Sequence, residues 1–543
     1  MLRLSLALSV AFASAAVAQS ILPPPQSPAG HVATADEELL GKALFWDEQL
    51  SATRTVACGT CHRFASGGAD PRALNARHPG PDGVTGTDDD VHGSPGVVRQ
   101  DAAGLAVRSP DFGLREQVTR RRAPSVINAA YARALFRDGR IDDVLRDPLT
   151  GATVLPADAA LENQALRPPV DAVEMSHIGR SWSEVAQDIA GRTPLALASN
   201  LPPSLAQFVA GQTYAGLFAR AFGSPGVTPT RIAFALAAYE RTLISDQSPF
   251  DLFLAGQGSL GVSERAGLTA FLNFCSICHT DVLPQVLVTG PVLDDYRNVG
   301  VRPPAEDEGR AAVTHDPNDR GRFRVPGLRN VALRAPYFHN GGMATLFDVI
   351  DFYSRGGDFT ENRDPEVEAL IARIGLADRF NLERFLHALT DPRVAQELPP
   401  FDRPRLWSEA SAANRSFGSG TAATGFATPR AAVLAAAWPG NPRFAIAAEA
   451  APPGSRIALC FDTAASPNPT RWAGLDVYLG FTASLIVHEP TSPVAADGTV
   501  TARLPLPTAT GLSGLTLYAQ WFAADPRGAP WLCSSDAIAF TLL

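Results

Sequence analysis

The chain has little lysine and no long apolar stretch after its N-terminus, and each shortage excludes a class of function. Lys42 is the one lysine among 46 basic residues, and no basic block occurs, so nucleic acid is not an expected partner. Beyond the N-terminus no stretch is apolar over the roughly eighteen residues that a membrane-spanning helix needs. The remaining composition, 45% apolar and 19% charged, is that of a globular protein.

The first 18 residues have the pattern of a secretory signal peptide. Arg3 is followed by an apolar run from Leu4 to Val17, which ends in Ala16-Val17-Ala18 before Gln19. We therefore expect an exported mature protein without a transmembrane segment, located in the periplasm or secreted.

Cysteine is also scarce, and four of the six cysteines form two copies of one pattern. These copies are Cys58-Gly59-Thr60-Cys61-His62 and Cys275-Ser276-Ile277-Cys278-His279. The pattern C-x-x-C-H is typical of a c-type haem, because two thiols add to the porphyrin vinyl groups and the histidine ligates the iron. We predict two covalently bound haem c groups with His62 and His279 as iron ligands. A zinc-binding cysteine pair or a redox dithiol is the alternative.

The chain from residue 35 to about 395 is predicted to be mainly helical. Ala35 to Glu48 and Glu264 to Phe274 have apolar residues at helical spacing, and each precedes one C-x-x-C-H motif. Ser181 and Glu184 form a capping box for a helix that should end at Gly191. Further helices are expected within residues 203–254, 346–354 and 381–389.

An acidic loop follows the first motif, in a stretch between His62 and Arg120 that has no helical spacing. Its sequence, Asp82-Gly83-Val84-Thr85-Gly86-Thr87-Asp88-Asp89-Asp90, is rich in carboxylates that could bind calcium. The full EF-hand pattern is absent, so a solvated acidic loop is the alternative.

After about residue 405 the sequence becomes typical of a small all-β domain. Short alternating stretches, separated by proline and glycine, predict strands of a sandwich or barrel at residues 456–461, 475–481, 484–488, 499–505, 515–522 and 537–542. Cys460 and Cys533 are the two remaining cysteines, and we expect a disulfide between them in an oxidising compartment. Two buried thiols are the alternative.

These observations predict a mainly α protein, with two cytochrome c-type haem domains followed by a sandwich-like all-β domain. The expected divisions are a signal peptide at 1–18, a first haem domain at 19–245, a second at 246–404 and the β domain at 405–543. Because the β domain has no expected haem ligand, a chain that ends near residue 400 should keep both haems.

Residues 35 to 395 resemble the bacterial di-haem cytochrome c peroxidases and their MauG-like relatives. The resemblance lies in the order and spacing of several segments: Ala123-Pro124-Ser125-Val126-Ile127-Asn128, Asp138-Gly139-Arg140, Gln164 with Glu174-Met175, Val325-Pro326-Gly327-Leu328-Arg329-Asn330-Val331 and Ala335-Pro336-Tyr337-Phe338-His339. It implies two facing cytochrome c domains and hydrogen peroxide as the oxidant. It implies nothing about residues 405–543.

The resemblance assigns roles to individual residues. The haem of His62 becomes the peroxide site, with Gln164 and Glu174 on its distal side, and the haem of His279 becomes an electron relay or store. A carboxylate suits this chemistry, because peroxide must lose a proton from one oxygen and gain one on the other. The alternative for Glu174 is a surface carboxylate.

Tyr353 is the expected sixth ligand of the second haem, at a position where the family's peroxidases have methionine and MauG-like relatives have tyrosine. Its spacing from Leu346, Val349 and Ile350 also predicts the buried face of a helix. A core tyrosine with its hydroxyl bonded elsewhere is the alternative.

The chain departs from the family pattern at three places. Arg137 stands where a tryptophan normally lies between the haems, and Arg122 stands where an asparagine normally helps to bind calcium. The calcium site is therefore doubtful. Extra residues also separate Asp138-Gly139-Arg140 from Gln164.

Three further histidines bear on the haem sites. His78 and His92 are candidates for the residue that blocks the first iron at rest, and solvated loop histidines are the alternative. His339 is expected to be a structural residue near the second haem, held by hydrogen bonds, and not an iron ligand.

Three functions are consistent with the sequence. The first is a periplasmic peroxidase that takes electrons from a small cytochrome or cupredoxin. The second is a MauG-like enzyme that uses peroxide to oxidise a side chain of a partner protein. The third is a non-catalytic electron carrier, which Gln164 and Glu174 disfavour.

Overall fold

The computed structural model describes most of the chain, including both C-x-x-C-H motifs. The described residues are 21–280, 294–409, 414–438, 441, 443–472, 475–490, 492–506, 514–524 and 532–542. The predicted signal peptide, residues 1–18, lies outside them. No helix within these ranges is long and apolar enough to cross a membrane.

Helices dominate the chain up to residue 395. Those of the first part are Ala35–Phe45 (α1), Cys58–Cys61 (α2), Ala160–Ala165 (α3), Trp182–Ala190 (α4), Pro203–Val209 (α5), Tyr214–Phe222 (α6) and Pro229–Arg241 (α7). Those of the second part are Pro249–Leu254 (α8), Val262–Phe274 (α9), Ala311–Thr314 (α10), Leu346–Ser354 (α11), Pro365–Glu368 (α12), Leu376–Ala388 (α13) and Pro392–Ala395 (α14). The predicted capping box at Ser181 forms, and Thr345 forms a second one at the start of α11.

The first helical core is built on the crossing of α1 and α7. Leu40 and Leu44 on α1 are buried together with Leu236 on α7. Gly41 lies at the contact, where an added Cβ would be 1.8 Å from the carbonyl oxygen of Ala235. The two helices can approach this closely only because residue 41 has no side chain.

The second helical core repeats this arrangement with α9 and α13. An added Cβ at Gly267 would lie 2.0 Å from the carbonyl oxygen of Asn381. Phe271 on α9 and Phe385 on α13 are both buried, with ring centroids 5.3 Å apart. Each half of the helical region therefore has one glycine-mediated helix crossing, and one C-x-x-C-H motif belongs to each half.

The chain returns to the first core after the second one. Phe401 and Leu406 are buried among the residues of the first core. The buried Glu48 carboxylate accepts hydrogen bonds from the backbone N–H groups of Trp407 and Ser408, at 2.8 and 3.1 Å. The segment that follows the last helix, as far as Ser408, thus packs on the first helical core.

Two loop segments, 123–141 and 325–343, repeat the same backbone path. In each, an asparagine and a later phenylalanine have positive φ: Asn128 at 59° and Phe136 at 66°, then Asn330 at 61° and Phe338 at 69°. An isolated antiparallel bridge closes each segment, Leu135 with Ile141 and Tyr337 with Met343. Arg137 in the first segment therefore corresponds to His339 in the second.

Short two-stranded ladders accompany the helical part. They join Pro95–Val98 (β1) with Glu116–Val118 (β2), Leu145–Arg146 (β3) with Thr153–Leu155 (β4), and Tyr296–Arg297 (β5) with Phe323–Arg324 (β6). β5 and β6 bring Phe323 and Arg324 to the wall of a cavity that the second C-x-x-C-H motif also lines.

The C-terminal region is β-rich. Its strands are Arg415–Phe417 (β7), Arg430–Val433 (β8), Ala445–Glu449 (β9), Arg456–Asp462 (β10), Ala465–Trp472 (β11), Leu475–Leu479 (β12), Ile486–His488 (β13), Val500–Arg503 (β14), Thr516–Ala524 (β15) and Leu532–Thr541 (β16). The sheets have the orders β13-β10-β15-β16-β7, β14-β9-β8 and β11-β12. Each of the six predicted stretches contains or overlaps a strand.

The two larger sheets share one apolar core. Leu459 and Trp521 of the five-stranded sheet are buried together with Ile446 and Val500 of the three-stranded sheet. The indole N–H of Trp521 also donates to the carbonyl of Ala447, at 3.1 Å. This packing of two sheet faces is that of a sandwich.

The predicted disulfide between Cys460 and Cys533 is wrong. Cys533 lies in the core between the two larger sheets, whereas Cys460 packs with Leu475 and Tyr518 on the other side of the five-stranded sheet. Successive side chains of a strand point to opposite faces, so the two thiols are separated by the sheet.

The β-rich region packs against the first helical part. Val98 and Leu114 form a buried cluster with Leu434 and Ala445. The Glu449 carboxylate accepts a hydrogen bond from the backbone N–H of Leu114, at 2.9 Å. The segment around β1 and β2 is therefore held between the helical core and the β-rich region.

Candidate active site

The first C-x-x-C-H motif begins in the short helix α2. The Nδ1 atom of His62 lies 3.1 Å from the carbonyl oxygen of Gly68, so Nδ1–H is the donor and Nε2 is left as the ring nitrogen for a metal. An added Cβ at Gly59 would lie 2.3 Å from the ring of the buried Trp46. Glycine between the two cysteines lets this indole pack against the motif.

The environment of the two thiols favours thioether formation over metal or dithiol chemistry. Burial raises the pKa of Cys58 and of Cys61, whereas a reactive dithiol needs a lowered pKa. In the ranges that the structure describes, no group of three or more His, Cys, Asp and Glu residues could hold a metal ion. The residues present therefore fit a covalently attached haem.

Arg72 is a site residue that the sequence did not reveal. One of its terminal nitrogens lies 3.3 Å from the Cys61 sulfur and 2.7 Å from the carbonyl of Pro95. The Asp70 carboxylate holds the guanidinium group at 2.9 Å. No motif marks this residue, because its place beside Cys61 depends on the fold of the intervening turn.

The second motif follows α9 directly and opens into a large cavity. Nδ1 of His279 lies 3.2 Å from the carbonyl oxygen of Pro326, which repeats the arrangement at His62 and again designates Nε2 for the iron. Cys275, Cys278 and His279 line a cavity of about 1470 Å³, a volume that includes its opening to solvent. Burial raises the pKa of Cys275 to about 12.

Tyr353 lines the same cavity as the second motif. It lies on α11, and Leu346, Val349 and Ile350 line the cavity with it, as their spacing predicts. Burial raises the pKa of the Tyr353 phenol above its usual range. The tyrosine is thus on the correct helix face for the predicted ligand role.

Glu174 lies close to the cysteines of the first motif. Its charge contributes to the raised pKa values of both Cys58 and Cys61. Burial, with repulsion from Asp171, raises the pKa of Glu174 itself to about 7, against a weaker opposing effect of Arg140. A carboxyl group with this pKa can both accept and donate a proton near neutral pH.

The loop that carries Glu174 is fixed by backbone hydrogen bonds. Its backbone N–H donates to the Asp171 carboxylate at 3.0 Å, and the Val173 carbonyl accepts from the Val97 N–H at 2.9 Å. The Met175 carbonyl accepts from the Ala52 N–H at 2.8 Å. The carboxyl group is therefore positioned by its loop and by the strand β1.

Gln164 lies on the last turn of α3 and is half-buried. Among the described residues no hydrogen bond joins its side chain to Glu174. The structure thus shows an electrostatic effect of Glu174 on the cysteines of the first motif, and it shows no contact of the Gln164 side chain with Glu174.

The other histidines have local partners. Nδ1 of His78 accepts from the Gly80 N–H at 3.2 Å, and Nδ1 of His92 lies 3.1 Å from the Ala73 carbonyl. His339 lines the second cavity and stacks on Phe323, with centroids 3.7 Å apart. Burial lowers the pKa of His339 to about 3, and Arg121 and Arg137 add to this effect against Asp307, so the imidazole is neutral.

The acidic loop uses its carboxylates within the chain. The Asp89 carboxylate accepts from the Asp82 N–H at 3.0 Å, and Asp90 accepts from the Gly86 N–H at 2.7 Å. Arg77 also lies 3.2 Å from Asp90. Arg122 stands where the family has a calcium-binding asparagine, and its guanidinium group donates to the Ala335 carbonyl at 3.0 Å.

The sequence is similar to those of several known proteins. Residues 35–259 match the family described as di-haem cytochrome c peroxidase. Cytochrome c551 peroxidase of Pseudomonas aeruginosa is 29% identical over 374 residues, which are 66% of this chain and 81% of that protein. The methylamine utilization protein MauG of Methylorubrum extorquens is 26% identical over 68% of this chain and 83% of its own.

One solved structure covers a similar part of the chain. A MauG-like protein associated with microbial copper homeostasis is 25% identical, with a TM-score of 0.49, over 70% of this chain and 96% of its own.

Proposed function

We propose that this protein belongs to the di-haem cytochrome c peroxidase family and reduces hydrogen peroxide at a haem held by the first C-x-x-C-H motif, because residues 35–259 match that family and the chain is similar to cytochrome c551 peroxidase. Electrons would come from a small periplasmic cytochrome or cupredoxin. The signal-peptide pattern of residues 1–18 supports a periplasmic or secreted location.

Each cofactor has a complete set of attachment residues. Cys58, Cys61 and His62 would hold the first haem, and Cys275, Cys278 and His279 the second, with Tyr353 as a further ligand of the second iron. When bound, these groups supply the redox chemistry that no side chain can perform. The carbonyls of Gly68 and Pro326 fix the orientation of the two imidazoles.

Glu174 carries the proposal, because it is the acid–base group beside the first motif. Its carboxylate would accept a proton from one peroxide oxygen and return it to the other as the O–O bond breaks. A pKa of about 7 lets both protonation states occur at neutral pH. Gln164 is proposed to orient the peroxide by hydrogen bonding.

The test is a measurement of peroxide turnover in the purified protein with two haems. We expect steady oxidation of a reduced small cytochrome on addition of hydrogen peroxide. The electronic and EPR spectra, before and after one equivalent of peroxide, should change at the first haem. A protein that carries both haems but does not react with peroxide would contradict the proposal.

A MauG-like oxidation of a partner protein is the second candidate, and Tyr353 favours it. A phenolate is a hard anionic ligand, which lowers the potential of an iron relative to a thioether ligand. A low-potential second haem suits a store of oxidising equivalents better than an entry point for electrons. Fast reaction with peroxide but no turnover with a reduced cytochrome would favour this candidate.

A non-catalytic electron carrier is the third candidate, and Glu174 disfavours it, because a carrier has no use for an acid–base group beside an open iron. We propose no nucleic-acid partner. Calcium remains doubtful, since Arg122 cannot ligate it. The proposed divisions are 19–245, 246–404 and 405–543, with the role of the last region undefined.

A further inference from the structure

A cavity with an unusual charge lies between the two repeated loop segments. Residues of both segments form its walls, among them Pro124 and Asn128 from the first and Pro326 and Phe338 from the second. Five arginines line it: Arg122, Arg137, Arg324, Arg329 and Arg334. No aspartate or glutamate is among the residues that line this cavity.

Arg137 connects this cavity with that of the second haem. Together with Arg324 it lines both cavities, whereas Cys275, Cys278 and His279 line only the second. Arg137 is thus the guanidinium group of the first helical half that reaches the second haem pocket. The repeated backbone path explains its position, because Arg137 and His339 occur at the same place in their segments.

Arg137 has no anionic partner within the described part of the chain. Its Nε atom is buried without a hydrogen-bond acceptor. Its charged neighbours are themselves cations, Arg122 and Arg324 foremost, and with burial they lower the pKa of Arg137.

Other arginines nearby do have carboxylate partners. Arg121 binds Asp307 with two contacts of 2.6 Å, and Arg302 binds Glu306 at 2.7 and 2.8 Å. The fold therefore supplies carboxylates around this region but not to Arg137. A buried cation without a counter-ion is strongly unfavourable, so Arg137 needs an anionic partner that the described residues do not supply.

We propose that Arg137 binds a propionate carboxylate of the haem attached at Cys275 and Cys278, with Arg324 as a second cation beside it. A haem carries two propionates, and the planar guanidinium group matches a carboxylate with two parallel hydrogen bonds. This inference rests on the proposed function, because it needs a haem at the second motif. It makes Arg137 a positioning residue that also sets the local charge.

A guanidinium group beside the second haem favours the reduced iron, which has one positive charge less. Loss of this charge should lower the equilibrium constant for reduction of the second haem about tenfold, the order expected for one charge in a medium of intermediate dielectric constant. For a one-electron couple a tenfold change corresponds to 59 mV.

The experiment is a spectroelectrochemical titration of the full-length protein with both haems. Arg137→Gln should shift the second haem to lower potential, and Arg137→Lys, which keeps the charge, should shift it less. Arg133→Gln is the control, because Arg133 is exposed on the same loop, and it should leave both potentials unchanged. An Arg137→Gln protein with the wild-type potentials would overturn the inference.

Haem content separates this inference from the proposed function. If the wild-type protein binds no haem at Cys275 and Cys278, the proposed function fails as well. If it binds two haems and only the predicted shift is missing, the inference alone fails. Loss of the second haem in Arg137→Gln but not in Arg137→Lys would support the inference, and loss in both variants would indicate a packing role and contradict it.

Discussion

Glu174 combines burial with a position beside two thiols that would carry a haem, and its pKa of about 7 follows from that environment. We predict that Glu174→Gln keeps both haems but reacts with peroxide at least about a hundredfold more slowly, the usual loss for a general acid–base residue. Stopped-flow absorption at the haem band measures the rate. Glu489→Gln, which makes the same change at an exposed position far along the chain, is the control, and a Glu174→Gln protein with the wild-type rate would refute the role.

The pH dependence of this reaction has a defined sign. The proton acceptor is the carboxylate, and burial raises the pKa of Glu174, so acidification removes the active form. The rate of the peroxide reaction should be constant well above pH 7 and fall about tenfold per pH unit well below it. Glu174→Gln should lose this dependence, and a wild-type profile that is flat between pH 5 and pH 9 would contradict the assignment.

Tyr353 is the residue that distinguishes the two enzymatic candidates. We predict that Tyr353→Met raises the potential of the second haem and changes its ferric spectrum, because a thioether replaces an anionic oxygen ligand. Tyr353→Phe is the control that keeps the ring but removes the oxygen. If both variants leave the spectrum and the potential unchanged, Tyr353 is a core tyrosine.

The sequence predicted those site residues whose role depends on short-range spacing. The position of Tyr353 on the cavity face of α11 follows from the helical period alone, and it is confirmed. The surroundings of Arg137 could not be predicted, because neighbours such as Arg324 come from a distant part of the chain. The place of Arg72 beside Cys61 could not be predicted because it depends on the fold of the turn between them. The Cys460–Cys533 disulfide failed for the same reason, since pairing depends on which sheet face each strand presents.

At the scale of elements, the two helical halves depend on the same close helix crossing. We predict that Gly41→Ala destabilises the first half and Gly267→Ala the second, each by about 1–3 kcal/mol, because the added methyl group would overlap a backbone carbonyl. Thermal unfolding monitored by circular dichroism measures the loss. Gly191→Ala is the control, since nothing lies within 4 Å of the added carbon.

If each variant loses only the haem of the altered half, the two halves fold around their own cofactors. Equal stability of Gly41→Ala and Gly191→Ala would mean that α1 and α7 can move apart at little cost. The sequence predicted α1 and α9 from their apolar spacing, but it could not identify Gly41 and Gly267 as contact residues, because a glycine within a helix carries no signal of its partner.

At the scale of the whole molecule, the β-rich region is connected to the loop of Glu174 through a few contacts. The side-chain amide of Gln100 donates to the Leu434 carbonyl, and the Gln100 carbonyl accepts from the Ile178 N–H at 2.9 Å. The Ala436 N–H also donates to the carbonyl oxygen of Thr53 at 3.0 Å. The N–H of the neighbouring Ala52 donates to the carbonyl oxygen of Met175. The β-rich region thus contacts the chain next to Ala52 and next to β1, the two places at which the Glu174 loop is hydrogen-bonded.

Removal of the β-rich region should therefore affect the site without removing a haem. The shortened chain has to end at Glu409 and not near residue 400, because Leu406 is part of the first core and Glu409 forms an ion pair with Arg63, next to His62. We expect a chain that ends at Glu409 to keep both haems, since all attachment residues precede that point. A chain that ends at residue 400 should be impaired in its first haem.

For the chain ending at Glu409 we predict a loss of about 2–4 kcal/mol in unfolding free energy, because Val98 and Leu114 become exposed. We also predict a roughly tenfold slower reaction with peroxide, since small displacements of a catalytic group are costly. Denaturant unfolding and stopped-flow absorption measure the two effects. Gln100→Ala in the full chain should slow the peroxide reaction with a smaller loss of stability, because it breaks the hydrogen bond to the Leu434 carbonyl and keeps the apolar cluster. A chain ending at Glu409 that reacts at the full rate would show that the loop of Glu174 is positioned by the helical part alone.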